Sequence, residues 1–283
     1  MVKDVFLAQK AGFCMGVSLA IKKLNKALSQ YATKQAIYTF GPIIHNPQVL
    51  AYYQQKGVKI ANSVEDCPEE SIVLIRAHGV PVAVEQKLKS KSIRIIDATC
   101  PKVKKAQVLI EKYSKSRTLL LFGEKQHPEV KGLVSYAKGK VFIFENLSHL
   151  KQLDLKDKED YVLVAQTTQN QQEFLAIQSY LKAAKYNVLT LETICQATEE
   201  RQQGAINLAK KVDFMVVVGG KISGNTRRLA QIVAQYVPHI HIETADELSP
   251  QIVSGYSKIG VTAGASTPKN IINQVIERIK ILA

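Results

Sequence analysis

Three cysteines stand directly before stretches of helical periodicity: Cys14, Cys100 and Cys195. Around Cys100, residues 95–101 combine β-branched residues that predict a buried strand, a short polar turn, the cysteine and the start of a basic helix. The amino end of a helix carries partial positive charge and free amide hydrogens, which favour the thiolate form of a cysteine. Because thiolates bind metals and attack electrophiles, the three positions predict metal or nucleophilic chemistry.

Three thiolates at one point would suit an iron–sulfur cluster or a zinc ion, since both favour sulfur ligands. Structural zinc sites usually take ligands in close pairs such as Cys-x-x-Cys, and the sequence has no such pair. Widely spaced cysteines fit a 4Fe–4S cluster better, and three ligands would leave one iron with an open coordination position. The alternative is that the three cysteines pack as small buried side chains, which their shared place before a helix disfavours.

The fourth cysteine, Cys67, lies among acidic residues at positions 65–70, and their negative charges oppose thiolate formation. It also has no counterpart in the other parts of the chain. We therefore interpret Cys67 as a structural or surface thiol.

Histidines occupy the ends of predicted strands, where parallel α/β sheets bind ligands. His45 and His127 lie in glycine-initiated loops, and His78 follows another strand. Each could singly be a core or capping histidine, but their matching positions favour a site. With helix amides they predict a pocket for a multiply charged anion such as a diphosphate. Its further members are Ser223, Asn225, Ser266, Thr167 and Thr168.

Glu129, two residues after His127, has no obvious positive neighbour in the sequence. Near a bound anion a carboxyl group favours its protonated form, which makes Glu129 a candidate proton donor. The alternative is a carboxylate in the first turn of a helix, where the helix dipole favours it.

The elements that carry these residues recur three times along the chain. In each copy a cysteine opens a helix, a strand and a glycine-initiated loop open a second helix, and a third strand ends in a polar cluster. Pro47 and Pro128 are expected at first helical positions, and Asn225 or Thr226 is expected to cap the third such helix. We predict an α/β protein of three pseudo-symmetric units, with parallel sheets around a central cavity that holds the cluster.

The predicted boundaries divide the chain into residues 1–13, 14–96, 97–193 and 194–283. The first segment contains a strand over residues 5–8, which we expect to complete the sheet of the third unit. The other three segments are the α/β units themselves.

The composition narrows the class of protein. The 283 residues are 46% hydrophobic, enough for a substantial core, and no window reaches the length of a membrane span. Four cysteines without a secretory signal favour a cytoplasmic protein, or one in an organelle stroma if a targeting segment is absent here. We expect a monomer that does not bind a membrane.

The net charge of +14 indicates an anionic partner. A basic metalloprotein that binds nucleic acid is one alternative, but the sequence has no recognised nucleic-acid motif, and we predict no such partner. A zinc hydrolase that uses the histidines and Glu129 around metal-bound water is a second alternative.

The motifs together resemble those of the 4-hydroxy-3-methylbut-2-enyl diphosphate reductase family, the last enzymes of the methylerythritol phosphate route to isoprenoids. The resemblance covers essentially the whole chain, in order. Its motifs are Gly12-Phe13-Cys14-Met15-Gly16-Val17, His45-Asn46, Ala77-His78-Gly79-Val80, Asp97-Ala98-Thr99-Cys100-Pro101, His127-Pro128-Glu129-Val130, Gln166-Thr167-Thr168, Thr193-Ile194-Cys195-Gln196-Ala197-Thr198 with Arg201-Gln202, Ser223-Gly224-Asn225 and Thr262-Ala263-Gly264-Ala265-Ser266.

The resemblance implies a 4Fe–4S cluster on Cys14, Cys100 and Cys195, with one open iron site. It implies that Glu129 supplies protons with the help of Thr167, near His127. It also implies removal of the allylic hydroxyl as water with two electrons and two protons, which gives isopentenyl and dimethylallyl diphosphate. An acidic ferredoxin or flavodoxin is the expected electron donor.

The implied diphosphate contacts are His45, His78, His127, Thr167, Ser223, Gly224, Asn225 and Ser266. Gly224 stands where many members of the family have serine, so its contact with the diphosphate would come from the backbone amide.

Overall fold

The computed structural model describes residues 4–282, in which strands and helices alternate along the chain. The strands are β1 (Asp4–Leu7), β2 (Ile37–Phe40), β3 (Lys59–Ala61), β4 (Ile72–Ile75), β5 (Arg94–Asp97), β6 (Thr118–Phe122), β7 (Val141–Phe144), β8 (Asp160–Ala165), β9 (Asn187–Thr190), β10 (Phe214–Val218), β11 (His239–Ile242) and β12 (Lys258–Ala263). The helices are α1 (Met15–Tyr31), α2 (Pro47–Gln55), α3 (Val82–Lys89), α4 (Pro101–Tyr113), α5 (Pro128–Val134), α6 (Leu147–Leu150), α7 (Gln171–Ala183), α8 (Gln196–Ala209), α9 (Gly224–Val233), α10 (Pro250–Val253) and α11 (Lys269–Leu282). A short 3-10 turn covers Ala245–Glu247.

Residues 4–282 form three four-stranded sheets whose strands pair in parallel. The first sheet has the order β11-β10-β12-β1, the second β3-β2-β4-β5 and the third β7-β6-β8-β9. The prediction of an α/β fold with three parallel sheets is confirmed. The central cavity stays a prediction.

The strand order within the three sheets is the same once β1 is counted with the last strands of the chain. Strand β1 pairs with β12, with Val5 opposite Ile259 and Leu7 opposite Val261. It thereby occupies the place that β5 and β9 take in the second and third sheets. The strand predicted over residues 5–8 is thus shifted by one residue and lies in the sheet of β10, β11 and β12.

The chain folds into two compact bodies. The first contains the chain up to Val17, the segment Ile44–Ala51 and the chain from Gln196 onward, and it holds the first sheet. The second contains Ser18–Ile43 and Tyr52–Cys195, and it holds the other two sheets. The predicted unit boundaries stay predictions, and residues 1–3 and 283, which fall in the first and last predicted segments, lie outside the described residues.

Central strands are apolar along their whole length because helices cover both faces of the sheet. All five residues of β10 are buried. Val216 packs with Ile272 of α11 on one face, whereas Met215 packs with Leu229 of α9 on the other. This arrangement fixes the carboxyl ends of the strands, from which the loops with polar residues emerge. None of the helices in residues 4–282 has an apolar stretch of the length needed to cross a membrane.

Candidate functional site

Each of the three predicted cysteine ligands directly precedes a helix. Helix α1 begins after Cys14, α4 after Cys100 and α8 after Cys195. None of these three cysteines forms a disulfide bond, and each is of intermediate exposure. Thiols that are half-buried at the start of a helix remain accessible to a ligand.

The three cysteines also share a backbone interaction. In each case the cysteine amide donates to the carbonyl of the residue two positions beyond the end of a strand. The hydrogen bonds run from Cys14 N to Ala265 O (3.3 Å), from Cys100 N to Ala77 O (2.9 Å) and from Cys195 N to Thr167 O (2.9 Å). The strands are β12, β4 and β8, which occupy the same place in their sheets. The cysteines are therefore equivalent in the three sheets.

No group of three His, Cys, Asp or Glu side chains in residues 4–282 is close enough to hold a metal ion. The cysteines are equivalent in the sense that each has the same position relative to the strands of its own sheet. Their assembly around one cluster stays a prediction.

Cys67 has a different environment. It is fully buried, and it packs in an apolar cluster with Val73 of β4 and Leu88 of α3. Burial raises the pKa of the Cys67 thiol, and the sulfur lies 3.7 Å from the carbonyl oxygen of Ser63 as a donor. Cys67 is therefore a structural thiol.

Glu129 lies in the first turn of α5 and is only 1% exposed. Its Oε1 accepts a hydrogen bond from the Thr167 amide at 2.6 Å, and its Oε2 accepts one from the Thr167 hydroxyl at 3.0 Å. Burial of a carboxyl group is costly unless it is hydrogen-bonded, and Thr167 supplies a donor to each of the two Glu129 oxygens. The structure thus brings together two residues that the sequence assigned to proton supply.

His127 caps α5, with Pro128 at the first helical position as predicted. Its Nδ1 accepts from the Glu129 amide at 3.1 Å, so the neutral ring carries its proton on Nε2. The ring of His78 meets it edge to face, with centroids 5.2 Å apart. His78, His127, Glu129 and Thr167 therefore form one cluster in the second body.

In the first body, Ser223 caps α9. The Ser223 oxygen accepts from the Thr226 amide at 3.4 Å and from the Thr226 hydroxyl at 3.0 Å. The prediction that Asn225 or Thr226 caps this helix is wrong, because both follow the first residue, Gly224, and already have helical backbone. Since Ser223 accepts two hydrogen bonds, its own proton is available to an acceptor.

Asn225 has a side-chain nitrogen that is buried and makes no hydrogen bond within residues 4–282. A buried amide donor without an acceptor costs free energy, on the order of 1–3 kcal/mol. An anionic oxygen at the start of α9 would remove this cost. Asn225 therefore fits the anion site predicted from the sequence.

Thr226 is a fully buried residue whose importance the sequence reasoning missed. A Cβ on Gly264 would lie 2.0 Å from its hydroxyl oxygen, and a Cβ on Gly219 would lie 3.0 Å from it. Glycine at both positions lets Thr226 reach Ser223. The signal in the sequence was the motif Thr262–Ser266, whose Gly264 lies against Thr226.

His45 lies in the same body as Ser223, Asn225 and Ser266. A Cβ on Gly220 would lie 2.2 Å from the His45 carbonyl oxygen, so the loop before Ser223 packs directly on the His45 backbone. Asn46 is fully buried, and its Oδ1 accepts from the Val49 amide at 3.0 Å. The His45 loop and the Ser223 loop are thereby fixed together.

Arg201 is a second residue without an assigned role in the sequence. It is 4% exposed on α8, and its Nη2 donates to the carbonyl of Gly12 at 2.7 Å. Gly12 has φ +90, which favours glycine, and it lies two residues before Cys14. Arg201 therefore fixes the loop that carries a predicted cluster ligand.

Comparisons with known proteins agree on one family. The model of the LytB protein family matches residues 5–280. The 4-hydroxy-3-methylbut-2-enyl diphosphate reductase of Solidesulfovibrio magneticus is 55% identical over 274 residues, which are 95% of this chain and 96% of that protein.

Two solved structures are also similar. The E-1-hydroxy-2-methyl-but-2-enyl-4-diphosphate reductase of Plasmodium falciparum is 30% identical, with a TM-score of 0.92 over 98% of this chain and 88% of that one. A structure of (E)-4-hydroxy-3-methyl-but-2-enyl diphosphate reductase is 39% identical, with a TM-score of 0.69 over 99% of both chains. The chain therefore belongs to the LytB family of 4-hydroxy-3-methylbut-2-enyl diphosphate reductases and is an oxidoreductase.

Proposed function

We propose that the chain removes the allylic hydroxyl group of 4-hydroxy-3-methylbut-2-enyl diphosphate by reduction. The substrate takes up two electrons and two protons, its C–O bond breaks, and the oxygen leaves as water. The products are isopentenyl and dimethylallyl diphosphate. Family membership supports the reaction, and the pairing of the buried Glu129 with Thr167 is the observation in this chain that carries it.

The proposed cofactor is a 4Fe–4S cluster on Cys14, Cys100 and Cys195. The donor set fits it, because three half-buried thiols occupy equivalent helix starts. The Val17 amide also approaches the Cys14 sulfur as a donor at 3.5 Å. When bound, a cluster with three cysteine ligands supplies electrons and an iron site with an open coordination position.

The diphosphate is proposed to bind to donors around the start of α9. Ser223 retains its hydroxyl proton for a phosphate oxygen, and the Nδ2 of Asn225 is a buried donor. Gly224 offers a backbone amide in the first turn, where the dipole of a ten-residue helix favours an anion. The remaining proposed contacts are His45, His78, His127, Thr167 and Ser266.

Glu129 is proposed to hold one of the two protons that the reaction consumes. With the proton on Oε2, the carboxyl group donates to the Thr167 hydroxyl oxygen, and the Thr167 hydroxyl is then free to donate to substrate. The Thr167 amide continues to bond Oε1 and keeps the carboxyl group in place. Thr167 thus moves a proton without moving the backbone. A protonated Nε2 on His127 is a second donor beside this pair.

The electron donor is proposed to be an acidic ferredoxin or flavodoxin. The net charge of +14 supports an anionic partner, since opposite charges accelerate association. The monomeric state and the cytoplasmic location stay predictions.

Anaerobic purification followed by an assay tests the proposed function. We expect a brown protein with broad absorption near roughly 400 nm, as for iron–sulfur proteins. With a chemical reductant, it should convert the substrate to the two C5 diphosphates and water. A colourless zinc-loaded protein, or a cluster-loaded one that leaves the substrate unchanged, would contradict the proposal.

A further inference from the structure

A cavity of about 430 Å³ lies in the second compact body, apart from the residues proposed for substrate and cluster. It opens between the ends of β2 and β4 and helices α3 and α5. Its polar lining comprises Asn62, Ser63, Glu65, Arg76, Lys87 and Lys131, with Gln126 at the rim. None of the proposed catalytic, substrate or cluster residues lines it. The volume is within the range of sites for small molecules.

Arg76 is the central cation of this cavity. It follows β4, and its Nη1 donates to the carbonyl of Pro42 at 3.3 Å, a long hydrogen bond. Its Nε is buried and makes no hydrogen bond within residues 4–282. Burial lowers the pKa of Arg76 to about 10, and no carboxylate among those residues offsets this cost.

The backbone is shaped to admit the guanidinium group. Gly41 has φ +70, and a Cβ there would lie 2.7 Å from the Arg76 Cζ. A side chain at position 41 would therefore push the guanidinium group out of its place. Buried arginines usually form an ion pair with a carboxylate. Arg76 differs, because the backbone leaves space for its guanidinium group but no carboxylate in residues 4–282 pairs with it.

Other charged side chains around Arg76 add to the positive charge of the cavity. Lys87 and Lys131 also line the cavity and are exposed, whereas Glu65 is the one carboxylate in the lining. Three cations face one anion. The Glu65 carboxylate has its pKa lowered by a backbone hydrogen bond within its own residue and by Ser63, so it is ionised at neutral pH and leaves a net charge of two.

We propose that this cavity binds a small phosphate-bearing anion, with the Arg76 guanidinium as its principal ligand and Lys87 and Lys131 at its rim. A guanidinium group is the protein donor best matched to phosphate oxygens. Asn62, Ser63 and Gln126 supply further polar groups. The cavity stands outside the residues proposed for the reductase reaction, so the two proposals succeed or fail separately.

Calorimetric titration of the full-length protein, as purified anaerobically, with inorganic phosphate tests the site. We expect Arg76→Gln to weaken binding about 10- to 100-fold, as for loss of a charged hydrogen bond. Lys87→Gln and Lys131→Gln should each weaken it about 1.5- to 5-fold, as for exposed charges. Arg94→Gln is the matched control, since Arg94 is an exposed arginine of the same body that packs on Tyr31.

Phosphate binding at the proposed diphosphate site is separated by repeating the titrations in a protein with Ser223→Ala and Asn225→Ala. The Arg76-dependent site should persist in that background. If Arg76→Gln does not fold, the two lysine variants carry the test, because both side chains are exposed.

Equal phosphate affinity in Arg76→Gln, Lys131→Gln and Arg94→Gln would overturn the proposal. Unchanged phosphate affinity combined with slower reduction by an acidic ferredoxin would also overturn it, and would assign the basic rim to a protein partner instead.

Discussion

Thr167 is bonded to Glu129 through both its amide and its hydroxyl, although 38 residues separate them in the chain. The carbonyl of the same threonine accepts the amide of Cys195. One loop residue just after β8 thus joins the proposed proton donor to Cys195, a proposed cluster ligand. A side-chain substitution at Thr167 should therefore affect protonation while leaving the backbone bond to Cys195 in place.

Replacement of Glu129 by glutamine should abolish most turnover and leave the cluster intact. The amide group fills the same space but cannot supply a proton, and general acid catalysis contributes about 10²- to 10⁴-fold. We expect kcat to fall within this range while iron content and substrate affinity stay near wild type. Stopped assays with a chemical reductant, iron analysis and substrate titration measure the three quantities. Near-normal turnover would remove Glu129 from the proton path.

Replacement of Thr167 by valine removes the hydroxyl and keeps the amide bond to Oε1. If the hydroxyl relays the proton, kcat should fall about 10-fold or more, by the loss of a positioned proton carrier. Thr167→Ser retains the hydroxyl and is the matched control, with turnover close to wild type. The Cys195 amide bond is retained in both variants, so iron content should not change. Equal turnover of the valine and serine variants would exclude the relay.

The repeated pattern of the sequence predicted much of the fold, because helices and strands depend mainly on residues that are close together in the chain. Apolar stripes predicted the helices after Cys14 and Cys100, and the alternation of strand-like runs with helices predicted parallel sheets. Parallel strands and helix starts then placed the cysteines at equivalent positions. These predictions require only the types of the neighbouring residues in the sequence.

The sequence did not predict the contacts between segments that are far apart in the chain. Arg201 meets Gly12 across 189 residues, and Thr226 meets Gly264 through a fit that depends on backbone approach. The wrong cap assignment for α9 has a related cause, since Ser223, Asn225 and Thr226 are all residue types that cap helices. Only the backbone conformation shows which of the three stands just before the first turn.

Arg201→Met should reduce iron content by loosening the loop before Cys14. Loss of the guanidinium group leaves the carbonyl of Gly12 without the donor that Arg201 supplies, at a cost of about 1–3 kcal/mol. We expect a lower melting temperature and incomplete cluster reconstitution. Lys210→Met, which removes an exposed positive charge just after the same helix, is the control. If iron content is the same in both variants, Arg201 does not position the Cys14 loop.

The cysteine assignment is tested by comparing two serine variants in the same body. Cys100→Ser removes a proposed ligand at a helix start, and we expect loss of cluster absorption and of most iron. Cys67→Ser replaces a buried thiol and should keep the iron content, with some loss of stability because a hydroxyl is placed in an apolar cluster. Iron loss in Cys67→Ser in a folded protein would overturn the assignment of three ligands.

Asp97 connects stability at low pH to the loop that carries Cys100. Its Oδ1 accepts from the Thr99 amide at 2.8 Å, and its Oδ2 pairs with Lys104 at 2.5 Å. Partial burial by itself would raise the pKa of Asp97, but the hydrogen bonds from Lys104 and Thr99 and the charge of Lys104 outweigh it and lower the pKa.

A carboxylate whose pKa is lowered by folding stabilises the protein above its unfolded pKa, about 3.9, and this contribution disappears as the pH falls through the lower folded value. Wild type should therefore lose more stability between pH 6 and pH 3 than Asp97→Asn, and the two should converge at the acid end. Urea unfolding across this range measures the difference, with the exposed Asp157→Asn as control. Parallel curves for wild type and Asp97→Asn would show that Asp97 does not hold this loop through its charge, because an asparagine keeps the Thr99 bond and loses only the attraction to Lys104.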